Sequence, residues 1–150
     1  GWLRTHPVLH IPVEAVALPC AFLGLNTKWR IGASFYLSCL LGTACTDIMM
    51  VLTGVMDQWP VVVNASVSES ALILNKTALS LLNFFSLTLL ILAAALILFI
   101  SDEMRKRGSV SHSNKGGAWL VASAALTTTL WVDGLFFLTT LLQPSLSGLI

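Results

Sequence analysis

The chain has 150 residues, of which 56% are hydrophobic and only 10% charged, and its mean hydropathy is +0.86. Soluble domains carry roughly 25% charged residues, so this composition excludes an ordinary globular protein. The formal net charge of +1 leaves no spare basic face for phosphates, which argues against a nucleic-acid partner.

The apolar residues fall in four blocks, each near or above the ~20 residues that cross a bilayer as a helix. The expected architecture is therefore a single all-α integral membrane domain with about four transmembrane helices. The first block, 8–25, contains Pro12, Pro19 and Glu14. Each proline removes a backbone donor, so a helix through it is expected to kink. A short polar turn, NTKWR, leads into the second block, 31–56, which is long enough to span with tilt.

DQWP breaks the pattern, and residues 61–77 read as an extramembrane segment. Within it and just beyond, ESALILNKTALSLL has the pattern of a short amphipathic helix at the interface. The third block, 79–100, rich in Leu, Ile and Ala, is the cleanest spanning helix. The Ser-, Gly- and charge-rich run 101–117 then reads as a solvent-exposed loop. The fourth block, 118–142, precedes Pro144 and a short tail. The first residue is Gly rather than Met, which raises the expectation of a segment removed ahead of it.

Basic residues set the orientation. Lys28, Arg30, Arg105, Lys106, Arg107 and Lys115 lie in the loops after blocks one and three, against Arg4 and Lys76 on the other side. The positive-inside rule then turns the first group toward the cytoplasm, stroma or matrix and puts both termini in the other compartment. The basic loop reads first as this topology determinant and second as a contact for acidic surfaces. Two sequons, Asn64-Ala-Ser and Asn75-Lys-Thr, would lie on the non-cytoplasmic side. Trp2, Trp29, Trp59 and Trp119 fall at membrane edges, where amphipathic rings settle. Trp131 lies deeper and is expected to pack against a partner or a ring-shaped cofactor.

Three acids interrupt the apolar blocks. Asp47 and Asp133 each stand about nine residues, roughly 13 Å of rise, from the non-cytoplasmic end of their helices. Glu14 falls about 10 Å from the same surface, with His10 one turn before it on the same face. Thr43 and Thr129 precede their aspartates by one turn and are placed to donate hydroxyl hydrogen bonds to them. The shared Thr-x-x-x-Asp pattern, on two blocks running in the same direction, suggests the remnant of a duplicated helix hairpin.

Three readings of the acids stand open. They can bond to neighbouring helices as packing contacts, at ~0.6–2 kcal/mol each. His10 with Glu14 can offer an axial ligand to the magnesium of a chlorophyll, a hard cation that accepts N or O donors. Or the acids can form a proton or cation path, as intramembrane carboxylates do in pumps. Ser34, Ser38, Gly42 and Thr46 recur every four residues and form a narrow face of small side chains that another helix can approach closely. Asp47 lies beside that face, so burial in protein rather than lipid is expected.

No Gly-rich phosphate loop, HExxH, GxSxG or paired CxxC is present, and the chain is expected not to be an enzyme. Cys20, Cys39 and Cys45 read as small buried packing residues rather than a disulfide or metal site. His6 reads first as an interfacial residue and second as a pigment or metal ligand, and His112 as solvated. The histidines are too scattered for zinc.

Taken together, HPVLHIPVEAVALP, WRIGASFYLSCLLGTACTD and LTTTLWVDGLFF resemble a family of small multi-pass proteins of cyanobacterial and plastid thylakoid membranes. The likeness covers the first, second and fourth blocks and not the middle of the chain. It implies a thylakoid location and association with photosynthetic complexes, but no established activity. With the close-packing helix face, it leads to an accessory subunit that stabilises a photosystem or antenna supercomplex, photosystem I being the favoured host. Its partners would be membrane lipids and neighbouring subunits, and its cofactors chlorophyll a and carotenoid. The rival reading is a small transporter or proton-conducting protein using Glu14, Asp47 and Asp133.

Overall fold

The computed structural model describes residues 10–110 and 114–142, with side chains described for 12–110 and 115–142. Among the described residues there are seven α-helices and no strand. Three of them, Arg30–Leu52, Phe84–Val110 and Asn114–Leu142 (α3, α6 and α7), are long and apolar enough to cross a membrane.

The described part of the first block is interrupted, where its prolines led to the expectation of a kink. It is broken into α1 (His10–Glu14), a 3-10 turn (Ala15–Ala17) and α2 (Leu18–Gly24). Pro19 sits in the first turn of α2, where its missing N–H has no partner to lose, so it starts a helix rather than bending one. The described pieces rise about 22–24 Å of the ~30 Å hydrocarbon core, with residues 1–9 outside the described residues. The break is held against α3: the Tyr36 hydroxyl donates to the Glu14 carbonyl. Below it, Gly24 lets Ala33 approach so closely that a Cβ on the glycine would lie 3.1 Å from that of Ala33.

α3 ends at Leu52, four residues before the block's apolar pattern does. Gly54 takes a left-handed conformation (φ 73°) that no other described residue adopts, and it turns the chain. A 3-10 turn (Met56–Gln58) and α4 (Trp59–Asn64) follow, and then the expected amphipathic helix, α5 (Val67–Ser80). Its start is fixed by a reciprocal cap, in which Glu69 accepts from the Ser66 backbone N–H at 3.0 Å and from its hydroxyl at 2.6 Å. Asn83 caps α6 in turn, accepting the Ser86 N–H at 2.9 Å.

The run expected to form a loop over 101–117 is mostly helix. α6 continues to Val110 and α7 begins at Asn114. Charges that look like loop composition are spaced for a helix instead. Asp102 pairs with Arg105 (2.6 Å) and Lys106 (2.8 Å), and Glu103 with Arg107 (3.4 Å), at three- and four-residue separations. Arg107, in the last turn, also suits the helix dipole. At Gly108 a Cβ would meet Leu120 at 2.8 Å, so the glycine lets α6 and α7 close against each other beyond the apolar region.

α7 is the central element, packed on α3, α6 and α5. Its Leu126 is the most buried large side chain, flanked by buried Ala122 and Ala125. α6 and α7 are antiparallel neighbours. α3 and α7 are parallel, which agrees with the direction read from the basic loops, and they meet at a near-constant offset through Ile31 with Gly117, Gly42 with Thr129, and Thr46 with Asp133.

Candidate functional site

The polar residues of the spanning helices gather along the two faces of α7. On the α3 side, Ser38 and Gly42 are buried, as expected for the small-residue face. A Cβ on Gly42 would lie 2.8–3.0 Å from three side-chain atoms of Thr129, so only glycine permits this approach. One turn further, Thr46 Oγ1 lies 2.6 Å from Asp133 Oδ2 and 3.2 Å from the Gly42 carbonyl. The hydroxyl thus bridges α3 to the half-buried carboxyl of α7. On the α6 side, Ser101 Oγ lies 2.9 Å from Ser123 Oγ and 2.7 Å from Thr127 Oγ1. Ser101 and Ser123 are buried. Such bonds substitute for the water that hydrocarbon lacks.

Both threonines of the repeated motif donate to their own helix, and the donor to Asp133 is not Thr129. Thr43 donates to the Cys39 carbonyl at 3.2 Å and Thr129 to the Ala125 carbonyl at 3.0 Å. In a continuous helix the carbonyl four residues back lies within a threonine's reach and competes for its proton. The real donor to Asp133 is Thr46, which sequence reasoning placed on the packing face without seeing its partner. The repeat aligns Thr43 with Thr129, whereas the packing sets Gly42 against Thr129, a shift of one residue. Asp47 is half-buried beside this seam.

Glu14 is half-buried at the end of α1, and His10 opens the same helix one turn earlier. His6 and His112 lie outside the described residues. Among the described residues no group of three or more His, Cys, Asp or Glu gathers as a metal site. The three cysteines are free thiols, and Cys20 is exposed on α2 rather than buried. Trp29 and Trp119 carry cations over their rings, Lys28 at 5.6 Å and Arg107 at 5.7 Å. Trp131 is 67% exposed on the outer face of α7.

Asn75 has a structural part that its sequon obscured. Its side-chain amide donates to the Thr140 carbonyl at 2.8 Å and to that of Leu141 at 3.4 Å, tying α5 to the last turn of α7. The amide of Asn64, the other sequon residue, donates to the Pro60 carbonyl at 2.8 Å. No sequence signal marked Asn75 as a cap, because its partners are 65 residues or more away.

A family model described as "Protein of unknown function (DUF3120)" matches residues 1–141. The chain belongs to the DUF3120 family. The match takes in the whole polar seam of this DUF3120 protein, from Gly42 and Thr46 to Ser123 and Asp133. No curated protein and no solved structure matches the chain.

Proposed function

We propose that this DUF3120 protein is a non-catalytic accessory subunit of a membrane complex, a packed helical wedge that stabilises larger neighbours. The observation that carries the reading is where the intramembrane polar groups are used. Asp133 takes Thr46, Ser101 takes Ser123 and Thr127, and Asn75 takes the end of α7. Among the described residues no buried side-chain nitrogen or oxygen lacks a partner. A seam of mutually satisfied side chains fixes one helix arrangement. Trp131, with exposed Val132 and Leu135 beside it, offers an aromatic contact at membrane depth for a partner helix or a planar pigment.

The thylakoid location and the photosystem I or antenna host rest on the resemblance of the HPVLHIPVEAVALP, WRIGASFYLSCLLGTACTD and LTTTLWVDGLFF runs. In that membrane the basic ends of α3, α6 and α7 face the stroma and the end of α7 faces the lumen. The N-terminus joins it there if the residues ahead of His10 complete the first crossing. Chlorophyll a would find nitrogen and oxygen donors in His10 and Glu14, with His6 ahead of them. Val13 and Val16, 53% and 78% exposed, border Glu14 with the apolar surface a macrocycle or carotenoid requires.

One observation favours proton or ion conduction as a second reading: Asp47 and Asp133 stand at similar depth on adjacent parallel helices. The two are separated by solubilising native membranes in mild detergent, sedimenting them, and recording absorption and immunodetection on each fraction. Co-migration with a chlorophyll-rich band at raised salt is the expected result. Migration as a small colourless species overturns the subunit reading. Asp47→Asn and Asp133→Asn proteins that assemble but lose ion flux would establish the second.

A further inference from the structure

We propose that the basic end of the bundle holds one anionic membrane lipid, its phosphate or sulfonate head between Arg30 and Lys115. The first turns of α3, the loop before it, the charged end of α6 and the start of α7 surround a cavity of about 360 Å³. That volume is within the roughly 300–1,000 Å³ range of small-molecule sites. Lower down, Gly42 lets Thr129 close the gap between α3 and α7. Higher up, Ser34, Ser38, Ala118 and Ala122 are too small to fill it.

The lining changes along the membrane normal as an amphiphile does. Asn26, Arg30 and Lys115 stand at the mouth, Ser34 one turn below Arg30, and Leu37, Trp119 and Ala122 form the deeper wall. From Arg30 to Ser38 the cavity descends about 12 Å at 1.5 Å per residue, enough for a head group and the start of an acyl chain. Its floor at Ser38 adjoins the upper end of the polar seam, and it stops about 12 Å of rise short of Thr46 and Asp133.

Arg30 is positioned rather than loose: its Nε donates to the Leu25 carbonyl at 2.5 Å, which holds the guanidinium at the rim. A guanidinium has five N–H donors, so the fork that grips a phosphate or sulfonate remains after one is used. The surroundings are basic as well, with Lys28, Arg105, Lys106 and Arg107 at the same end against Asp102 and Glu103. Basic pockets between spanning helices on the positive side are where anionic head groups bind. The inference holds whichever complex hosts the chain.

The test is native mass spectrometry of the full chain, purified in mild detergent and titrated with phosphatidylglycerol, phosphatidylcholine or inorganic phosphate. One phosphatidylglycerol per chain is expected, in strong preference to phosphatidylcholine, with inorganic phosphate failing to displace it at equal concentration. Arg30→Gln and Lys115→Gln should each weaken retention about fivefold, from ~1 kcal/mol per cation. Arg105→Gln, outside the cavity lining and already paired with Asp102, should weaken it clearly less than either. Ser34→Leu, which fills the cavity and keeps both cations, should also expel the lipid, and far-UV helicity confirms folding of each variant. Equal binding of the two lipids, equal loss in Arg105→Gln, or full retention in Ser34→Leu overturns the proposal. Displacement by inorganic phosphate alone would assign the site to a free anion instead.

Discussion

Two glycine-to-alanine substitutions in the spanning helices should shift stability in opposite directions. At Gly42 the added Cβ would meet Thr129 Cγ2 at 2.8 Å and its Cβ and Oγ1 at 3.0 Å. Thr129 cannot swing aside cheaply, since it is β-branched and its hydroxyl is bonded to the Ala125 carbonyl. The helices must separate by a few tenths of an ångström, and overpacking of this kind costs ~1–3 kcal/mol. Against this stands a backbone gain of ~0.5–1 kcal/mol for replacing a mid-helix glycine. The net expectation for Gly42→Ala is a loss of ~1–2 kcal/mol, a five- to thirtyfold change in the folded-to-unfolded ratio. At Gly134 a Cβ meets nothing within 4 Å, so Gly134→Ala keeps only the gain. Reversible SDS titration of the purified protein in mixed micelles measures both. Thr129→Ala removes two of the three crowding atoms, so it should recover much of the loss, with a coupling of ~1 kcal/mol in the double-mutant cycle. Equal stability of Gly42→Ala and Gly134→Ala would refute the close approach of α3 and α7.

Thr46→Val keeps the shape of the side chain and removes the donor to Asp133, so the same titration should show a loss of ~0.6–2 kcal/mol. An unchanged midpoint would mean the bridge carries no weight. Asn75→Asp replaces the amide that donates to the end of α7 with a charge facing the negative pole of that helix. The expected cost is ~1–2 kcal/mol, together with faster proteolysis between α5 and α6. The two hydrogen bonds from Ser66 hold the Glu69 carboxyl below its ordinary value of 4.5. Because the folded value is the lower one, the cap contributes fully above about pH 4.5, and that contribution is lost as the pH falls through the folded value. An NMR titration of Glu69 should show a midpoint below 4.5 that returns toward it in Ser66→Ala, and an unshifted wild-type midpoint would contradict the cap.

What the sequence by itself determined is what local composition and spacing control. Long apolar runs require helices in a bilayer, because an unpaired backbone N–H or C=O there is costly, and this alone establishes the class. The four-residue recurrence of Ser34, Ser38, Gly42 and Thr46 puts small side chains on one face of any helix, so the packing face of α3 was legible before its partner was known. The amphipathic pattern likewise announced α5. The run 101–117 has the Ser, Gly and charge of a loop, while the ion pairs of Asp102 and Glu103 that favour a helix become available only once the chain is helical. The first block was legible as proline-broken, yet where its break falls, at Ala15–Ala17, depends on the hold of Tyr36 on the Glu14 carbonyl.

Only the tertiary structure decided which residues meet. Thr46 and Asp133 are 87 residues apart, and the single-residue shift between the repeated motif and the packed register comes from the fit of Gly42 against Thr129. Asn75 capping α7, the hydroxyl cluster of Ser101, Ser123 and Thr127, and the cavity beneath Arg30 and Lys115 all arise between helices. Their partners are set by the rotation and offset of rigid rods. A periodic pattern along one rod constrains its own face and leaves the offset of its neighbour to side-chain volume.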